Sequence, residues 1–163
     1  MPGLFIFKLE IDTDPPAGSG FDYRYLDFPL DFEVCHQDLS SNFSLKIHAL
    51  LCRPYLKGRD WYDFNWYIKQ GISVNLPHLQ AALLQWGPWA DKKIVINLKW
   101  LKQVLLHKTA QIDWKDAAKD VQRFLRFSEQ HSLSLWDEIV TWKSKFAWIA
   151  ARTYQEIRLQ TAH

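Results

Sequence analysis

The sequence predicts an α+β fold in which two short strands precede a much longer helical part. Two observations carry that prediction. The opening residues alternate polar and apolar side chains with the period of a strand, and from Ser40 onward the apolar spacing changes to that of a helix. Turn residues at Pro54, Gly58, Gly71 and Gly87-Pro88 then cut the remainder into helix-sized pieces.

The first strand is expected over residues 4–13, LFIFKLEIDT, where Lys8, Glu10 and Asp12 alternate with Leu9 and Ile11. Asp14-Pro15-Pro16 and Gly18-Ser19-Gly20 break it and open a loop. A second strand is expected at Phe32–His36. Helical periodicity follows, with Phe43, Ile47, Leu50 and Leu51 at i, i+4, i+7 and i+8, Ser40 or Ser41 as N-cap, and Pro54 as the stop. A second helix is expected from about Arg59 to Gln70, with Gly71 ending it. Further helices are expected at 77–86, 98–110, 113–127 and 135–158, with a brief extended piece at 94–98. The expected division is therefore a strand region at 1–37 and a helical region at 38–163.

Composition narrows the class. The 163 residues are 48% hydrophobic and 23% charged, which fits one globular unit and excludes a disordered chain. Nine Trp, ten Phe and six Tyr are expected to lie mostly in the core, although such rings also stack on bases. A net charge of +2 gives no global pull toward nucleic acid, so any such contact must come from a local basic cluster. Cys35 and Cys52 have no metal-ligand spacing, and the four-residue apolar run Leu4–Phe7 is too short for a signal peptide or membrane span. A reduced, cytoplasmic protein is expected.

The densest polar cluster runs from Lys46 to Asp63. Lys46 and Arg53, seven apart, share one face of the first helix, and Asp60 and Asp63, three apart, share a face of the second. The turn between the helices is short, so Lys46 and Asp60 are expected within reach of one another. Lys57, Arg59 and the free N–H groups of the second helix's first turn are expected to add a phosphate pocket. The competing reading is a salt-bridge network that pins a helical hairpin and does nothing else. His48, among Ile47, Ala49 and Leu50, reads as a packing or hydrogen-bonded histidine rather than a base. Trp61, Phe64 and Ile68 read as core, while Tyr62 and Trp66 form a second stripe that suits either core or base stacking.

Lys46-x-His-Ala-Leu-x-x-Arg53, followed by Lys57-Gly-Arg-Asp-Trp-Tyr-Asp-Phe64, resembles the signature of the AbiEii/AbiGii-type nucleotidyltransferase toxins. The resemblance runs from the Lys8–Asp12 segment to about Phe127. It implies the remnant of a nucleotidyltransferase-like sheet and a toxin of a toxin–antitoxin or abortive-infection system. Such a toxin moves nucleotides from an NTP to an RNA, such as a tRNA acceptor end, with Mg²⁺ as cofactor and a cognate antitoxin as partner. Under the resemblance, Lys46, Asp60 and Glu10 are catalytic, and Lys46, Arg53, Lys57 and Arg59 bind phosphate. Glu10, with Asp12 as the alternative, would be a metal ligand, and Asp63 would hold Arg59 as a structural partner. No Gly-Ser turn with a paired-carboxylate strand precedes Glu10. One carboxylate cannot hold two metals, so this chain alone is expected to be inactive. The alternatives are a non-catalytic remnant and a helical module that binds RNA or protein without chemistry.

Overall fold

A computed structural model of the chain describes residues 9–130 together with Leu133 and Trp136. It has the α+β order β1 (Phe21–Leu26), β2 (Phe32–Gln37), α1 (Leu39–Cys52), α2 (Gly58–Lys69), α3 (Leu76–Gln85), α4 (Leu98–Thr109), α5 (Trp114–Gln122) and α6 (Phe127–Gln130). Among the described residues no helix is long and apolar enough to cross a membrane.

β1 and β2 form an antiparallel hairpin, registered from Phe21 opposite Gln37 to Leu26 opposite Phe32. β2 matches the expected second strand. β1 lies in the stretch read as a loop, whereas residues 9–12, the end of the expected first strand, take no strand structure and are exposed. Residues 4–8 of that strand and the expected 135–158 helix lie outside the described residues. The 94–98 segment runs without strand pairing into α4.

Helix boundaries follow local chemistry. Asp38 caps α1 by accepting the Ser41 N–H at 2.6 Å, so the cap lies two residues before Ser40 and three before Ser41, the expected serines. Ser41 is instead buried, and its hydroxyl accepts the Gly20 N–H at 2.9 Å, tying the hairpin's base to the helix. Asn75, Asn97 and Asp113 cap α3, α4 and α5 in the same way. Gly71, at φ 75°, ends α2 in a left-handed conformation that a side chain would strain.

The core is helical. α1 contributes Phe43, Ile47, Leu50 and Leu51, and α2 contributes Trp61, Phe64 and Ile68, all at 8% exposure or less. α3 adds Leu79 and Leu83, and α4 adds Leu101 and Leu105. Trp61 meets Trp114 edge-on at 5.3 Å, and Trp114 in turn meets Trp136 at 5.9 Å and 89°. Such edge-to-face contacts add roughly 0.5–1.5 kcal/mol each beyond area burial. Tyr62 is half-buried and Trp66 lies at the surface.

Candidate functional site

α1 turns its apolar stripe toward the core, which leaves Lys46 and Arg53 on the flank that meets α2. Pro54 ends α1, and the chain reverses into α2 within a few residues. The return brings Asp60 and Asp63 back against the two cations. Lys46 Nζ donates to Asp63 Oδ2 at 2.7 Å and lies 3.9 Å from Asp60 Oδ1. Arg53 Nη1 donates to the other Asp60 oxygen, Oδ2. Asp60 is therefore a bridging anion between Lys46 on one edge and Arg53 on the other.

The two halves of this chain of charges differ in weight. The Lys46 and Asp63 side chains are 37% and 41% exposed, and ion pairs so open to solvent contribute about 0–1 kcal/mol. Asp60 is only 3% exposed, so removing Arg53 would leave a buried carboxylate with only the Lys46 ammonium at 3.9 Å, at a cost toward or below the low end of roughly 3–5 kcal/mol. Asp60 is the fixed element, and Lys46 can change partners cheaply.

A cleft of about 240 Å³ opens on the Arg53 side of Asp60. Arg53, Lys57, Asp60 and Tyr55 line it from the α1–α2 turn, and Lys108 reaches it from α4. Lys46 is not among the lining residues. Lys108 is a site residue that sequence reasoning missed. Its neighbour in the cleft, Arg53, is 55 residues away, and no local pattern links them.

Two expectations about this region require correction. The first turn of α2 does not offer a free Gly58 N–H, because Asp120 of α5 accepts it through Oδ2 at 2.9 Å. α5 packs so closely there that a Cβ on Gly58 would stand 2.0 Å from the Ala117 carbonyl oxygen. An internal carboxylate thus takes one of the N–H groups that were expected to face a phosphate. Asp63, expected to hold Arg59, holds Lys46 instead, while Arg59 is exposed with its guanidinium 4.5 Å from the centre of the Phe124 ring.

Glu10 and Asp12 are exposed and lie outside this cluster. Asp12 accepts the Asp14 N–H at 3.0 Å and shares a groove with His48, Gln85 and Trp86, along the α1 flank that faces α3. His48 is half-buried there, with Nε2 3.1 Å from the Trp86 carbonyl oxygen, and burial lowers its pKa. That is the environment of a packing histidine. Magnesium takes an octahedral set of oxygens. Among the described residues no group of three or more His, Cys, Asp or Glu side chains could hold a metal ion. Lys46 and Arg53 already neutralise the carboxylates of the helical hairpin, so these residues do not by themselves fit the cation.

The class the fold and site define is an α+β domain whose helical hairpin carries a Lys–Asp–Arg chain of charges beside a cleft lined by Arg53, Lys57 and Lys108. The family model described as nucleotidyl transferase AbiEii toxin, type IV TA system, matches residues 5–142, and the chain belongs to that family. No curated protein and no solved structure matches it.

Proposed function

We propose that the chain serves a nucleotidyltransferase toxin that transfers nucleotides from an NTP to an RNA acceptor, a tRNA end being one such acceptor. In this reading the α1–α2 hairpin is its phosphate-binding element. The observation that carries it is the bridged Asp60, with paired cations on both edges and a cleft lined by further lysines beside it. In such a transfer the acceptor hydroxyl oxygen bonds to the α-phosphorus and pyrophosphate leaves. Arg53 and Lys57 would offset the charge that develops on the departing phosphates. Asp60 would hold Lys46 in position, and Lys46 would exchange its exposed Asp63 contact for a phosphate oxygen. Arg59, turned outward, would meet the acceptor's backbone. Toxin–antitoxin family membership implies a cognate antitoxin as partner.

A second reading is a non-catalytic module that keeps the hairpin for stability. It is favoured by the internal compensation of Lys46 and Arg53, which already face carboxylates.

Equilibrium binding of NTPs, run beside an assay with labelled NTPs, Mg²⁺ and total RNA, tests the proposal. The expected result is NTP binding that weakens about tenfold in Lys57→Gln, the loss of one charge-assisted contact. Label transfer that Lys46→Ala abolishes would extend the reading to catalysis. Binding without transfer is the outcome expected of this chain alone, and no NTP binding at millimolar concentration would overturn the phosphate site itself.

A further inference from the structure

The cleft beside Asp60 contains a cation whose position is unusual for a lysine. α4 buries Leu101, Leu105 and Thr109, and Lys108 lies seven residues after Leu101 and three after Leu105, so it emerges beside the apolar stripe. Lys99 and Lys102 of the same helix point into solvent, whereas Lys108 is half-buried. Its stem follows the core and its ammonium emerges in the cleft.

One role for that ammonium is internal. Nζ donates to the Arg53 carbonyl oxygen at 3.3 Å, just past the end of α1, where a cation suits the helix dipole. A single long bond uses one of three donors and leaves the charge without a counterion. Among the described residues Lys108 makes no ion pair, and neither does Lys57 across the cleft. Of the two carboxylates that line the cleft, neither pairs with Lys57 or Lys108. Asp60 is bridged by Arg53 and Lys46, and Asp113 caps α5 by accepting the Lys115 and Asp116 N–H groups at 3.0 and 3.2 Å. Two lysines without an ion pair thus line a cleft of about 240 Å³, which has room for several water-sized groups.

We infer that Lys108 is a further phosphate-binding residue. Together with Lys57 it would grip successive phosphates, supplied either by the polyphosphate tail of a nucleotide or by an RNA backbone. The inference rests on the functional reading above and adds to it a residue from a different helix, outside the Lys46–Asp63 motif.

The test measures binding of inorganic tripolyphosphate, of an NTP and of a short single-stranded RNA to the full chain and to Lys108→Gln, Lys108→Arg and Lys102→Gln. Lys108→Gln should lose roughly tenfold in affinity, Lys108→Arg should regain most of it, and Lys102→Gln should bind as the wild type. Loss for tripolyphosphate and NTP identifies the nucleotide tail as occupant, and loss for RNA alone identifies the backbone. Wild-type binding that Lys108→Gln leaves unchanged overturns the role of Lys108 and leaves the wider reading standing. Failure of the wild type to bind any of the three overturns both. A second measurement needs no variant. Amine acylation of the wild-type chain, read by peptide mass spectrometry, should slow several-fold at Lys57 and Lys108 when tripolyphosphate is present, and stay constant at Lys102. Equal labelling of Lys108 with and without tripolyphosphate, in a chain shown to bind it, would also overturn the assignment.

Discussion

The β-hairpin holds Phe21, Tyr23 and Tyr25 at 61–68% exposure, whereas the helical hairpin of α1 and α2 holds Phe43, Ile47, Trp61 and Phe64 at 2% or less. Both are reversals of two neighbouring elements, and both are rich in aromatics. The difference lies in what stands behind them. α2 packs on α1 and α5, and α1 packs on α3, so these four side chains of the helical hairpin each find a wall. The β-hairpin joins the body at its base, through the Gly20 N–H to Ser41 Oγ at 2.9 Å and Asn42 Nδ2 to the Gln37 carbonyl at 3.0 Å. Two strands without a covered face are marginal by themselves. The lesson is that aromatic content does not measure stability, and that what stands behind a ring decides whether it is buried.

The sharpest way to break this comparison is to truncate one ring in each hairpin. Trp61→Ala removes a buried side chain that contacts Phe64 and Trp114, and should cost about 4 kcal/mol in urea unfolding. Phe21→Ala removes an exposed ring and should stay within about 0.5 kcal/mol. Similar losses at both sites would mean that the β-hairpin is covered in solution and that the contrast is false.

The two cysteines divide between the same regions. Cys35 is exposed on β2, while Cys52 is buried at the end of α1, where burial pushes its thiol up to about 11. Because the thiolate is the reactive form, Cys52 should react at pH 8 about a hundredfold more slowly than an ordinary cysteine. A chromogenic disulfide should therefore titrate one thiol promptly and the second only after denaturant is added. Two fast thiols would show that α1 frays at its end.

What the sequence disclosed follows the same division. The helices were legible because burial imposes a period, and Phe43–Leu51 and Trp61–Ile68 display it. Asp60 and Lys46 could be placed close together because a turn of a few residues leaves little freedom. β1 was missed although Phe21-Asp22-Tyr23-Arg24-Tyr25 does alternate. The Pro- and Gly-rich stretch before it reads as loop, and alternation without a buried face is a weak signal. Asp120 on the α2 N-terminus and Lys108 in the cleft were beyond reach for a different reason. Each depends on how distant helices dock, and the chain separations of 62 and 55 residues leave no local trace.

The close docking of α2 on α5 gives a smaller effect that sharpens the picture of a rigid helical hairpin. In Gly58→Ala the new methyl group would meet the Ala117 carbonyl oxygen at 2.0 Å, so one helix must shift. The expected loss is about 2 kcal/mol, with a weakened Asp120 contact at Gly58. Helix propensity alone would make alanine the better residue, so a neutral or stabilising outcome in urea unfolding would show that α5 is free to move away.

The smallest expected effect is a pH dependence arising at His48. Burial lowers its pKa, and hydrogen bonding to the Trp86 and Ala82 carbonyls opposes that only in part, so the folded chain holds the ring neutral more firmly than the unfolded chain does. Where the unfolded state binds the extra proton, stability falls as pH falls. The contribution is thus fully present above the ordinary histidine value of about 6.5 and is lost as pH drops from there toward the lowered folded value. Asp12 and Asp14 line the same groove and would favour the protonated ring, which keeps the effect small. His48→Gln retains an N–H donor for the Trp86 carbonyl and removes the titration. The urea midpoint should therefore fall between pH 7.5 and 5.5 by more in the wild type than in His48→Gln. Equal falls would assign the dependence to other groups, and a steeper fall in the variant would mean that His48 gains its proton on folding, drawn by the two carboxylates rather than repelled by burial.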